Sequence, residues 1–267
     1  MNSIIELSPF DLSLAALLVV ALAWVSRKLQ LKIGGRLLLS AVRTVIQLSL
    51  IGFVLKALFE STEAGWVALM ALVMILAAGR EVRARQKHRL RGPWSFGIGL
   101  SAMFISSFAV TVLALAVMIH AEPWYAPRYA IPLLGMLLGN TMNGVSLAVN
   151  QLTQNVRSQR AVIETRLALG QTKSEAIDDI RRESIRTGLI PIINAMAAAG
   201  LVSLPGMMTG QILAGNLPAD AAKYQILIMF LIAGGTGFGT LVAVWMTSHR
   251  LFDDRDRLRL ERLTISD

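Results

Sequence analysis

The residues able to carry chemistry are few, and their spacing excludes more than it allows. The chain has no cysteine, which removes disulfides, iron–sulfur clusters and thiolate metal sites and leaves the redox compartment open. His88, His120 and His249 fall in loops or at the ends of apolar runs and on different sides of the bilayer, so they cannot share one metal ion. LALGQTKS carries Leu167 and Thr172 where a phosphate-binding loop needs glycines, which excludes ATP binding of that type. The run GGTGFG from Gly234 to Gly239 lies inside an apolar stretch rather than between a strand and a helix, so close helix packing is its role rather than dinucleotide binding. No catalytic residue, metal ligand set or cofactor is expected in this chain, and it does not read as an enzyme.

What remains is polar chemistry inside apolar runs. Arg43 and Gln47 lie four apart on one helical face, and Asn140, Asn143, Ser146 and Asn150 line one side of another stretch. Charged and polar groups at membrane depth face a bundle interior or a polar path. Arg43 also lies close enough to one end to snorkel, and the asparagines have the alternative of bonding across helices at about 0.6 kcal/mol each. Pro205-Gly206 would break its helix, either as a gate or as a kink, and would free carbonyls that only protein or a wet cavity tolerates. Met207 and Met208 follow directly, with thioethers as soft donors. Three small-xxx-small pairs, Gly135/Gly139, Gly206/Gly210 and Gly235/Gly239, permit close backbone approach within one chain or between subunits.

The elements that must position these groups are membrane spans. The chain has 267 residues, 54% of them hydrophobic, and a mean hydropathy of +0.58. Apolar runs occur at 9–26, 37–59, 64–79, 94–119, 131–149, 188–214 and 224–247, so the expectation is an all-α integral membrane protein of about seven transmembrane helices in a single transmembrane domain, 1–267. The first run has Glu6 and Asp11 rather than basic residues before it and reads as an uncleaved span. Of the 26 Lys and Arg, 22 fall in alternate connections: after the first and third runs, in the central segment 151–190 and in the tail 248–267. By the positive-inside rule the N-terminus is outside and the C-terminus cytoplasmic. A pI near 10.6 is thereby explained by topology, and no nucleic-acid partner is expected.

The central segment, between the fifth and sixth runs, is patterned. Ala161, Val162, Ile163, Leu167 and Leu169 recur at helical spacing up to Gly170, which suits a left-handed turn. Thr172 precedes Glu175 at capping-box spacing, and the following helix sets Ile177, Ile180, Ile185 and Leu189 among charges, with Asp178 four before Arg182. The expectation is a cytoplasmic helix pair with a glycine hinge, shaped to dock a soluble partner.

Glu164, followed six residues later by Gly170, also resembles the EAA signature of ABC-transporter permeases, with Thr165 and Arg166 in place of the alanines and no Ile-x-Leu-Pro after it. The wider run ETRLALGQTKSEAI, SIRTGLIPIINAMAAAGLVSLPGMMTGQILAG and AAKYQILIMF, with RTVIQLSLIGFVLK, resembles the FetB-type permease family of iron-export ABC transporters. The resemblance implies a plasma (inner) membrane permease that pairs with a soluble ABC ATPase subunit carrying ATP and Mg, and the expectation for the permease is a homodimer in the lipid bilayer. It implies that Glu164, Arg166, Leu167, Gly170, Thr172 and Glu175 form the docking region, and that iron or a metal-linked solute is exported. An ATP-independent secondary transporter and a membrane anchor for a soluble enzyme are the alternatives.

Overall fold

The computed structural model describes residues 8–60 and 63–265. By internal contacts the described residues form two compact units: one holds 8–60 with 213–215, the other 63–212 and 216–265.

The first unit is a helical hairpin. α1 (Pro9–Lys28) opens with a capping box in which Ser8 and Asp11 satisfy each other's backbone amides, and it closes on Arg27 and Lys28, whose charge suits a helix C-terminus. Gln30 and Lys32, both with positive φ, turn the chain into α2 (Gly34–Glu60). A Cβ on Gly34 would lie 2.9 Å from the carbonyl oxygen of Ala23, so the hairpin crosses where only glycine fits. Apolar side chains of both helices, such as Leu18 and Phe53, are exposed. Arg43 and Gln47 are exposed on α2 as well.

The second unit begins with α3 (Ala64–Ala84), longer than its apolar run, and the short strand β1 (His88–Leu90). The next run is one long helical stretch, Trp94–Ile119, built as α4 (Trp94–Met103), a π-helical segment (Phe104–Phe108), α5 (Ala109–Leu113) and a second π segment (Ala114–Ile119). Such wide turns re-aim the side chains that follow and are frequent at functional sites. α6 (Pro127–Ser158) outlasts its apolar run by two turns, and only Gln159 separates it from α7 (Arg160–Ala168). α8 (Lys173–Ala176) is a single turn, joined through Ile177 to α9 (Asp178–Ala198); the second member of the expected helix pair is therefore continuous with the sixth apolar run.

That run does not form one helix. α9 stops at Ala198, residues 199–205 turn, and α10 (Gly206–Leu213) starts at the predicted Pro-Gly break. Gly200, at φ +81, allows the turn, and the amides of Leu201, Val202 and Ser203 all donate to the Ala198 carbonyl. Among the described residues, six helical stretches are long and apolar enough to cross a membrane, against the seven runs in the sequence. α11 (Pro218–Arg250) is the last of them. The tail then folds back, and β2 (Leu263–Ile265) pairs antiparallel with β1, His88 opposite Ile265; this small sheet was not expected from an all-α pattern.

α6 is central, packed by α3, α9 and α11. α6 and α9 meet backbone to backbone: a Cβ on Gly188 would lie 2.7 Å from the Gly144 carbonyl oxygen, and one on Gly144 2.9 Å from that of Gly188. Gly235 and Gly239 of α11 likewise receive Leu137 and Thr141 of α6. This glycine pair is spent inside the chain, whereas Gly206 and Gly210 face open space.

Gly188→Ala should therefore overpack the α6–α9 contact and destabilise the bundle by about 1–3 kcal/mol. Gly237→Ala, with nothing within 4 Å of its Cβ position, should leave stability unchanged or slightly raised. Melting temperatures of the two purified variants in the same detergent check this, and equal values would refute the close approach.

Candidate functional site

The hinge predicted at Gly170 is built from backbone upward. Gly170 has φ +91, its amide donates to the Leu167 carbonyl at 3.0 Å, and the Gln171 amide donates to that of Arg166 at 3.1 Å, the paired bonds of a Schellman termination. The chain restarts immediately: the Glu175 carboxylate accepts from the Thr172 amide at 2.8 Å and hydroxyl at 2.9 Å, while the Thr172 hydroxyl accepts from the Glu175 amide. These bonds to Thr172, from its backbone first and then its side chain, hold the Glu175 carboxyl below the usual carboxylate range.

Arg166 braces the corner. Its guanidinium donates to the Ala176 carbonyl at 3.1 Å and to Asp179 at 3.1 Å, so one side chain ties α7 to α8 and α9. Ile163 is buried and Leu167 half-buried, whereas Val162 and Leu169, the latter 81% exposed, face outward. Glu164 is on the surface, paired with Arg160 at 2.7 Å. Beyond the hinge, Asp178 pairs with Arg182 at 2.8 Å at the expected spacing and with Arg181 at 3.0 Å.

The tail supplies the part that sequence reasoning missed. Lys173 pairs with Asp256 at 2.9 Å, and a cavity of about 410 Å³ lies between this contact and Ile177, Arg181, His249 and Phe252. Asp253 organises the tail by accepting from the amides of Arg255 and Arg257 at 3.0 and 2.9 Å and from the guanidinium Nε of Arg257 and Arg259. The Arg257 amide bond leads in holding the Asp253 carboxyl well below its usual range, and the Lys173 ammonium bond leads in lowering that of Asp256. Arg262 donates to the carbonyls of Arg250 and Phe252 at 2.8 and 3.0 Å. The only sequence signal was a tail alternating acidic and basic residues, with no indication of its partners. In β1 the pKa of His88 is lowered by burial first and then by Arg157 and Lys87.

The asparagine stripe of α6 is not uniform. Asn150 accepts from the Lys87 amide at 2.9 Å and donates to the Arg85 carbonyl at 3.0 Å, so it fastens the turn after α3. Asn143 accepts from the Arg85 guanidinium, and Asn140, exposed, donates to the Met136 carbonyl at 2.8 Å in its own helix. Met207 and Met208 are half-buried and Gly206 exposed at the start of α10, after a half-buried Pro205. Arg43 and Gln47 belong to the other compact unit.

Six long apolar helices with a folded polar corner at one helix junction define a multi-pass membrane protein. The chain belongs to UPF0014, described as an uncharacterised protein family, which matches residues 9–252. It is 36% identical over 258 residues, 95% of each chain, to the probable iron export permease protein FetB of Escherichia coli. It is also 40% identical over 228 residues to a UPF0014 membrane protein of Synechocystis, covering 85% of this chain and 87% of the other. Identity to the protein ALUMINUM SENSITIVE 3 of Arabidopsis thaliana is 34% over 233 residues, 87% of this chain and 83% of the relative. No solved structure matches the chain.

Asn150→Leu should leave the Lys87 amide and Arg85 carbonyl unpaired and cost about 1–3 kcal/mol, read as a lowered melting temperature; an unchanged value would show that the bonds are dispensable. The tail has a pH signature. Because the folded-state pKa values of Asp253 and Asp256 are depressed, the stabilisation they give is complete above the unfolded Asp value of about 4 and is lost as pH falls below it. Hydrogen-exchange protection of the Arg255 and Arg257 amides should hold from about pH 7 to 5 and decline below about 4, and in Asp253→Ala it should be lost even at neutral pH.

Proposed function

We propose that this chain is the membrane-spanning subunit of an ATP-driven exporter of a metal ion, iron foremost, or of a small metal-linked solute. A separate soluble ABC ATPase would dock on the corner around Gly170 and bring the ATP and Mg. The clustering of basic residues in alternate connections supports a cytoplasmic side for that corner, β1, β2 and the tail and an outside N-terminus, in the plasma (inner) membrane, with α9 and α10 together as the seventh crossing. Two copies of the chain, each with one ATPase, would make the working assembly.

The observation that carries this reading is the braced turn itself. Val162 and Leu169 are presented to solvent across a corner whose geometry is fixed by the Schellman turn, the capping box and the Arg166 bridge. An apolar pair on a rigid corner can receive a push and pass it on, because little of the motion is absorbed locally. α8 and α9 run from that corner without a long loop into the glycine contact with α6. Closure of an ATPase dimer would thus be delivered to the centre of the bundle as a rigid-body movement. The name of the FetB relative supports iron as cargo and export as direction. Asn140, Asn143 and the broken segment Pro205 to Met208, all in the second unit, are the proposed path and gate, with Asn150 as an anchor; Arg43 and Gln47 are a separate polar candidate within the first unit.

Gly170→Val keeps space for its side chain, since nothing lies within 4 Å, yet a β-branched residue at positive φ costs about 1–2 kcal/mol and tilts the corner. The variant should insert normally in membranes and lose most of its stimulation of the partner ATPase in proteoliposomes. Full stimulation by Gly170→Val would refute the lever.

A further inference from the structure

Hydroxyls in a helix normally bond back to the carbonyl four residues earlier, and several do so here. Thr153 of α6 donates to Val149 at 2.9 Å, Ser184 of α9 to Ile180 at 2.6 Å, and Ser248 of α11 to Val244. Three hydroxyls at the junction of α6 and α11 do not. Thr141 of α6 and Thr236 and Thr240 of α11 are 0, 2 and 0% exposed, and their oxygens have no hydrogen-bond partner.

These side chains are turned into the seam between helices. A Cβ on Gly144 would lie 2.6 Å from the Thr236 methyl and 3.2 Å from the Thr240 hydroxyl, one on Gly188 3.0 Å from the Thr240 methyl, and one on Gly239 2.5 Å from the Thr141 methyl. The first π segment adds a polar group at the same place: the Ser106 hydroxyl would be 2.7 Å from a Cβ on Gly239.

Burying a hydroxyl without a partner costs free energy, and valine would fill each threonine site at equal volume without that cost. A set of such groups on one seam, closed by glycines that let backbones touch, is the arrangement of a polar lining pressed shut. We infer that Thr141, Thr236 and Thr240 line a water-filled path that is closed in this conformation and opens when α6 and α11 part. Neutral oxygens without a carboxylate suit water and a hydrated or complexed cation, whose shell they replace in part, better than a bare soft ion. The assignment rests on the transport reading above and adds a buried stretch in the second unit to the exposed asparagines named there.

The absence of native cysteine makes a direct test possible. Single variants Thr141→Cys and Thr240→Cys in the full chain, in native membranes, are treated with a membrane-impermeant charged maleimide. Val82→Cys, equally buried at the α3–α4 contact beside Gly99, is the dry reference, and labelling in denaturant shows that each thiol is present. Both threonine sites should label at least about tenfold faster than the reference, equivalent to about 1.4 kcal/mol in opening. Thr240→Ser, which keeps the hydroxyl, should retain export of ferrous iron from loaded inverted vesicles, and Thr240→Val, equally stable, should reduce it severalfold. Labelling of both threonine sites no faster than Val82→Cys would overturn the wet seam. Fast labelling in a chain whose unmutated form exports no iron would support the seam and count against the iron-export reading instead.

Discussion

The close approach of Gly144 and Gly188 is the contact on which the second unit depends. In a bilayer, apolar burial does not draw helices together, so association relies on dense packing and interhelical bonds. Two backbones within reach of each other's carbonyl oxygens are as dense as helix packing becomes. That approach brings α9 against α6 and leaves room for α11 alongside both. The same constraint explains which hydroxyls can be accommodated: opposite Gly144 and Gly188 stand the short side chains of Thr236 and Thr240.

The polar corner at Gly170 solves a different problem. Outside the apolar core, water competes for every polar group, and exposed ion pairs contribute little each. The corner therefore relies on backbone-directed bonds: a Schellman turn, a capping box and a guanidinium bonded to a carbonyl. The tail reinforces it through Lys173 and Asp256, while the β1–β2 pair fastens the tail's far end to the connection after α3. Three segments distant in sequence thus hold one another, so a movement imposed at the corner is shared with the base of α11 rather than dissipated in a loose loop.

Sequence alone determined the features whose signals are local. Twenty-residue apolar runs report spans because a backbone in lipid must satisfy its own hydrogen bonds. Gly170 with Thr172 and Glu175 reports a helix end and a helix start because those bonds join neighbours in the chain, and Pro205-Gly206 reports the break before α10 for the same reason. The fragments quoted for the resemblance likewise led to the family.

Tertiary structure decided what depends on partners far along the chain. The asparagine stripe has one period on a helix, yet Asn150 is committed to residues 85 and 87 while Asn140 bonds within its own helix, a distinction set by where α3 ends. The tail entered the sequence reading only through its basic residues, whereas in the structure Asp253 and Asp256 pair with Arg257, Arg259 and Lys173. Thr141, Thr236 and Thr240 are unremarkable letters among apolar residues; only the glycines opposite them show that these side chains lie in a seam. Local patterns fix which bonds a residue makes along its own helix, but a side chain's cross-helix partner follows from packing, which no spacing along one helix records.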